Sequence, residues 1–166
     1  MNKGKLIVFE GISGTGKETQ ARLLATYLGK QGIKANIVYH PSPELKEILV
    51  SWRKNRQIDH VSEAYFLLAD CYNRVRQVIK PALARGEWII GLRNWVSALI
   101  YQAKTPADRQ YLKKEFLWFE PPPDLLFFFE ISPQKALARI KARHYQTGEP
   151  LGKFETLNLL AEKGKN

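Results

Sequence analysis

The segment Gly11-Ile12-Ser13-Gly14-Thr15-Gly16-Lys17 constrains this chain more than any other. It follows a β-branched and aromatic run over residues 5–9, which reads as a buried strand. It opens a helical pattern with Ala21, Leu24 and Leu28 on one face. Glycines at this spacing let the backbone coil tightly enough to aim successive N–H groups at one anion. The helix behind adds its N-terminal partial charge, and Lys17 adds an ammonium group. The pattern fits a phosphate-binding P-loop, whose lysine neutralises β and γ phosphates. An ordinary glycine-rich turn is the bland alternative, but the setting between strand and helix favours phosphate. One position departs: the motif places a magnesium-ligating Ser or Thr after the lysine, and here stands Glu18, with Thr19 one residue on. A carboxylate beside triphosphate is repulsive unless a cation lies between them. Glu18 is therefore a metal ligand or a sign of weakened nucleotide binding.

The remainder of the chain alternates. Residues 33–39 form a second strand candidate. Ser42, Pro43 and Glu44 read as an N-cap, a first-turn proline and a dipole-matched carboxylate for a helix through about Trp52. Residues 62–84 carry the longest helical signal, with Tyr65, Leu68, Ala69, Tyr72, Val75 and Ile79 at three- and four-residue steps, and Pro81 kinks or restarts that helix. A third strand is expected over residues 87–91, a helix over 93–103, and another helix from the Thr105-Pro106-Ala107-Asp108 start. Three prolines at 121–123 break the chain before a fourth strand over 125–131. Ser132 and Pro133 then begin a helix with Ala136, Leu137 and Ile140 inward, followed by a mobile loop over 146–152 and an amphipathic stretch carrying Phe154, Leu157 and Leu160. Strands alternating with helices predict one α/β domain over 1–166, with a parallel sheet covered by helices on both faces.

Composition narrows the ligand. Lys and Arg number 26 against 16 Asp and Glu, a formal charge of +10. That excess suits an anionic partner, and Arg53-Lys54-Asn55-Arg56 is its only evident cluster. The cluster lacks the interleaved aromatics of a base-stacking platform. Small phosphate ligands are thus favoured over nucleic acid. No apolar run approaches the ~18–20 residues that cross a bilayer, so no membrane partner is expected. The single cysteine, Cys71, excludes an intramolecular disulfide and suits a reducing, cytoplasmic setting.

With these motifs in place, the chain resembles the thymidylate kinase family of P-loop nucleoside-monophosphate kinases. Phe9-Glu10-Gly11-Ile12 through Lys17, then Thr19-Gln20, looks like that family's opening FEGIDGxGKxTQ. Residues 72–90, YNRVRQVIKPALARGEWII, are similar to its long helix and following strand. Arg93-Asn94-Trp95 through Tyr101-Gln102 fits its DRYxxSxxAYQ segment, and Pro123-Asp124-Leu125 to Arg143 fits its PDL strand and RIxAR helix. The resemblance implies a three-layer P-loop fold with a parallel sheet of four to five strands. It implies transfer of the ATP γ-phosphoryl group to a nucleotide 5′-phosphate, with Mg²⁺ and with dTMP as the acceptor. It places Gly11, Ser13, Gly14, Thr15, Gly16, Lys17, Glu18, Thr19 and Arg139 at ATP, and Arg93, Ser97, Tyr101, Gln102, Leu67 and Asp70 at the acceptor. Lys17, Arg93 and Arg143 are the catalytic candidates, the lid near 144–153 brings arginine or Lys153 to the transferring group, and a homodimer is usual.

The departures from the family pattern gather at the chemistry. Ser13 and Leu92 stand where the family has aspartates, so two magnesium-organising carboxylates are missing, and Glu18 with Glu10 is expected to take over. The family's REP reads Tyr39-His40-Pro41, and its FxxxR pair reads Leu67 and Cys71. A catalytically weak nucleotide-binding relative is the alternative function. With relatives continuing beyond Lys153, Phe154 and Glu155, the sheet is expected to have four strands or an edge completed by a partner chain.

Overall fold

A computed structural model of the chain describes residues 3–55 and 57–148. The first strand, β1 (Leu6–Glu10), is followed by α1 (Lys17–Lys30), β2 (Ala35–Tyr39) and α2 (Pro43–Lys54). Then come α3 (His60–Arg74), a π-helical turn over Val75–Ile79, α4 (Lys80–Ala84) and β3 (Trp88–Leu92). The described part closes with α5 (Trp95–Gln102), α6 (Pro106–Phe119), β4 (Leu125–Phe128) and α7 (Pro133–Thr147). All strand pairs are parallel, in the order β2-β3-β1-β4. This is the four-strand α/β sheet that the alternation predicts.

The period of two along the central strands explains why helices lie on both faces. In β1, Leu6 and Val8 enter one apolar cluster with Ile89, Cys71, Val75 and Phe116. Ile7 and Phe9 enter another with Ala21, Leu28, Ile90 and Leu92. All five β1 residues are buried, as a parallel sheet sandwiched by crossover helices requires. The edge strand β4 differs: Leu125, Leu126, Phe127 and Phe128 are all exposed, and it pairs only with β1 among the described residues.

Local chemistry sets the boundaries. Ser42 caps α2 by accepting from the Leu45 N–H at 3.3 Å, and Thr105 and Asp108 form a reciprocal capping box on α6. Pro81 does not break the long helix. The chain widens into the π turn just ahead of it, which accommodates a ring that cannot donate to the preceding turn. The helix expected from residue 93 starts at Trp95, because Arg93 adopts φ 69° and Asn94 serves as N-cap. The lid expected over 144–153 is helical at its first four residues, which form the last turn of α7 before Gly148 ends it at φ 68°. The rest of that lid, Lys153 and the stretch with Phe154, Leu157 and Leu160 lie outside the described residues.

Candidate functional site

The C-terminal ends of β1 and β3 carry the site, and the loop after β1 forms its floor. Gly14 sits at φ 83°, and a Cβ there would lie 2.5 Å from the Ala136 carbonyl oxygen. Only glycine lets the loop pass that close to α7. Lys17 folds back over the loop, donating from Nζ to the Gly11 carbonyl at 2.8 Å, the Ile12 carbonyl at 2.7 Å and the Thr15 hydroxyl at 3.1 Å. Burial is the main reason its pKa falls from 10.5 to about 8; the nearby Arg93 charge adds to the fall and Glu10 opposes it.

Arg93 closes the opposite wall. Its backbone N–H donates to the Phe9 carbonyl at 2.9 Å, and its left-handed φ is the only positive value for a non-glycine residue among the described ones. Such a conformation costs about 1–3 kcal/mol and persists only where the surroundings enforce it. Enforcement comes from Glu10, which is buried and accepts from the Asn94 N–H at 2.9 Å and the Ser97 hydroxyl at 3.0 Å. Leu92, buried at the strand end, adds packing where the family pattern has an aspartate. The guanidinium then reaches Ser97 Oγ at 3.1 Å and Ser13 Oγ at 3.5 Å, and lies over the Tyr101 ring 5.6 Å from its centre.

Between these walls runs a groove of about 650 Å³. Among the described residues, seven basic side chains line it against a single carboxylate, Glu18. Of the expected residues, Ser13, Gly14, Gly16, Lys17, Glu18 and Thr19 line its loop end. Arg93, Ser97, Tyr101, Gln102 and Leu67 line the far side, and Arg139 and Arg143 reach it from α7. Arg139 Nη1 donates to the Gly14 carbonyl at 3.4 Å. Gly11 and Thr15 act from beneath, as acceptors that hold Lys17.

Two expected positions turn out otherwise. Asp70 is not brought to the groove: its carboxylate accepts from the Ser42 N–H at 3.1 Å and from Arg74 Nη1 at 2.8 Å, tying α3 to the start of α2. Glu10 and Glu18 do not share a position suited to one metal ion. Glu10 is occupied in holding the β3–α5 turn, whereas Glu18 accepts from Arg22 at 2.6 Å and from the Tyr39 hydroxyl at 3.1 Å. The bond from Arg22, chiefly, lowers the Glu18 pKa. No group of three or more His, Cys, Asp or Glu side chains forms a metal cluster among the described residues.

Among the basic groove residues, Arg22, His40, Lys46 and Arg53 were not expected site residues, although Arg53 belongs to the basic cluster visible in the sequence. Lys46, Val50 and Arg53 recur at steps of four and three on α2, so one helical stripe faces the groove, and that periodicity was the available signal. His40 is 6% exposed, and its Nδ1 lies 2.9 Å from Arg74 Nη2. Arginine only donates, so Nδ1 accepts and the proton sits on Nε2. Burial first, then the Arg74 charge, drives its pKa down to about 3, so the ring is neutral. A second, mostly apolar cavity of about 300 Å³ lies between α3 and α6 and, among the described residues, shares only Gln102 with the groove. No described helix is long and apolar enough to cross a membrane.

Comparison with known proteins shows the family and the fold. The family model described as thymidylate kinase matches residues 9–163. A thymidylate kinase of Wigglesworthia glossinidia brevipalpis is 35% identical over 153 residues, covering 86% of this chain and 65% of that protein. One from Xanthomonas campestris pv. campestris is 37% identical over 160 residues, covering 92% of this chain and 66% of its own length. The chain thus spans about two thirds of these curated relatives. The crystal structure of thymidylate kinase from Ehrlichia chaffeensis has the same fold, with a TM-score of 0.69 at 24% identity, over 96% of this chain and 98% of that one.

Proposed function

The chain belongs to the thymidylate kinase family, and from that premise we propose that it transfers the γ-phosphoryl group of ATP to the 5′-phosphate of thymidylate, giving the diphosphate. The observation that carries this is the groove itself, with a lysine-backed glycine loop at one end, Arg93 in the middle and an apolar wall with polar groups at the other. An acceptor phosphate is already anionic near neutral pH, so the chain needs no strong general base. Its work is alignment and neutralisation of charge.

In this reading Lys17 leaves the loop carbonyls to meet the donor's terminal phosphates, and the loop amides hold the rest. Its lowered pKa still leaves it charged at neutral pH. Arg93, propped by Ser97 and Tyr101, holds the acceptor phosphate in line. Arg139 and Arg143 converge on the transferring group from α7, and cations so placed are worth ~10³–10⁵ in rate. Magnesium, when bound with ATP, would supply positive charge that offsets the phosphates. The donor set fits an ion held mostly by phosphate and water, for which Glu18 is the one carboxylate in the groove lining. The protein works in the cytoplasm, where its buried Cys71 stays a thiol, and as a homodimer through the exposed aromatic face of α3 and α6 around Tyr65, Tyr111 and Trp118.

The test is a coupled assay of ADP formation from ATP and Mg²⁺ across a panel of nucleoside monophosphates. Stimulation by thymidylate above the others is expected. ATP binding without stimulation by any monophosphate would overturn the proposal. Sedimentation velocity at two concentrations checks the dimer.

A further inference from the structure

The far end of the groove contains an arrangement that phosphate handling does not use. Glu63, in the first turn of α3, is 4% exposed. One of its oxygens accepts from Arg53 Nε at 3.0 Å. The other accepts from Arg53 Nη2 and from Gln102 Nε2, the latter at 2.6 Å. A carboxylate only accepts, so it fixes the Gln102 amide with its nitrogen toward Glu63 and its carbonyl oxygen on the other side. The same carboxylate grips the Arg53 fork on one side, and Arg53 lines the groove with N–H groups to spare. Gln102 is 5% exposed, and its Oε1 is buried with no hydrogen-bond partner. Buried polar atoms are normally paired, so this one is an acceptor awaiting a donor. Leu67, Val50 and Ala98 line the groove with Arg53 and Gln102 and supply an apolar wall. Cys71 does not contribute: it is fully buried and its Sγ faces Glu120 at 3.7 Å.

We propose that Glu63 is the positioning residue for the acceptor base, fixing Arg53 as the donor and Gln102 as the acceptor that together read a nucleobase edge with one N–H beside one carbonyl oxygen. This rests on the kinase reading and deepens it. The imide of thymine meets both demands, its ring N–H donating to Gln102 Oε1 and its carbonyl accepting from Arg53. Cytosine in the same pose turns a ring lone pair toward the Gln102 oxygen, which loses one bond and sets two lone pairs against each other. Glu63 touches no substrate itself. It acts by preventing the Gln102 amide from turning over.

The experiment compares kcat/KM for thymidylate and deoxycytidylate, with ATP and Mg²⁺, in the full chain and in Glu63→Gln and Arg53→Gln. The unsubstituted protein should prefer thymidylate by roughly 10- to 100-fold, the range for one well-placed pair of contacts to a base. In Glu63→Gln the partner both donates and accepts, the Gln102 amide is released, and the preference should fall about tenfold through KM while kcat holds. A purely structural loss lowers both substrates alike and leaves the ratio alone. Should Glu63→Gln fail to fold by circular dichroism, Arg53→Gln, on the last turn of α2, decides by the same ratio. An unchanged ratio in the folded variants overturns the inference while leaving the kinase reading intact. Absence of turnover in the unsubstituted protein overturns the kinase reading, and the ratio is then taken from equilibrium binding of the two monophosphates.

Discussion

The two ends of the groove are built in different ways. At the donor end, the phosphate cradle comes from one short stretch, with Lys17 returning to the carbonyls of Gly11 and Ile12 only a few residues behind it. At the acceptor end, Arg53, Leu67 and Gln102 arrive from α2, α3 and α5, and the Glu63 carboxylate joins Arg53 to Gln102. Local backbone geometry defines the first. Tertiary packing defines the second. Substitution at the donor end should therefore abolish chemistry for every acceptor, whereas substitution at the far end should change which acceptor is preferred.

The largest effect falls on Lys17. Lys17→Met should lower single-turnover phosphoryl transfer on the order of 10³-fold for all monophosphates. A rapid-quench measurement that shows a base-dependent loss instead would erase the distinction between the ends. Arg93 sits where the ends meet, and Arg93→Gly sharpens the contrast. It should reduce kcat/KM for thymidylate about 10²-fold, while relief of the left-handed backbone offsets the lost side-chain contacts. Thermal denaturation should find the variant at least as stable as its parent, and a large drop in melting temperature would show that the strain is not stored at this residue.

The pH dependence of Lys17 gives an effect of intermediate size and of two signs. Its folded pKa of about 8 lies below the ordinary 10.5 because burial disfavours the charged form. Between those values the ligand-free folded protein holds fewer protons than the unfolded chain, so this residue makes folding more favourable as pH rises from about 8 to 10.5. Triphosphate affinity should move the other way, weakening as the ammonium loses its proton above pH 8. Denaturant titrations and ATP binding over the same pH series check the pair of slopes. Lys17→Met should remove both.

The smallest effect is assigned to Glu18. Its ion pair with Arg22 is exposed, so Glu18→Gln should leave stability nearly unchanged. The magnesium concentration for half-maximal activity should rise about tenfold. An unmoved magnesium dependence would assign the ion wholly to phosphate and water.

How far the sequence could be read follows the same division. The four strands, the cap residues Ser42 and Thr105 and the loop around Lys17 were readable because their causes lie within a few residues. Residue 93 was readable as an arginine at the site but not as a backbone outlier, since Glu10 enforces that turn from 83 and 84 positions away. Glu10 and Glu18 looked interchangeable as carboxylates near the loop. Burial among Asn94 and Ser97 makes one structural, and exposure beside Arg22 leaves the other available to the groove. Asp70 shares a helix face with Leu67 by spacing, yet the Ser42 N–H and Arg74 draw its carboxylate away from the groove. Glu63 carried no signal at all, because its partners are 10 and 39 residues distant.

The central claim is that the loop between β1 and α1 is a polyphosphate cradle closed by Lys17. Calorimetric titration of the full chain with ATP, with and without Mg²⁺, tests it most directly. The account predicts saturable one-to-one binding to the unsubstituted protein and an affinity at least tenfold weaker for Lys17→Met. Equal affinity in the two proteins, or no heat of binding for any purine triphosphate under either condition, would contradict it.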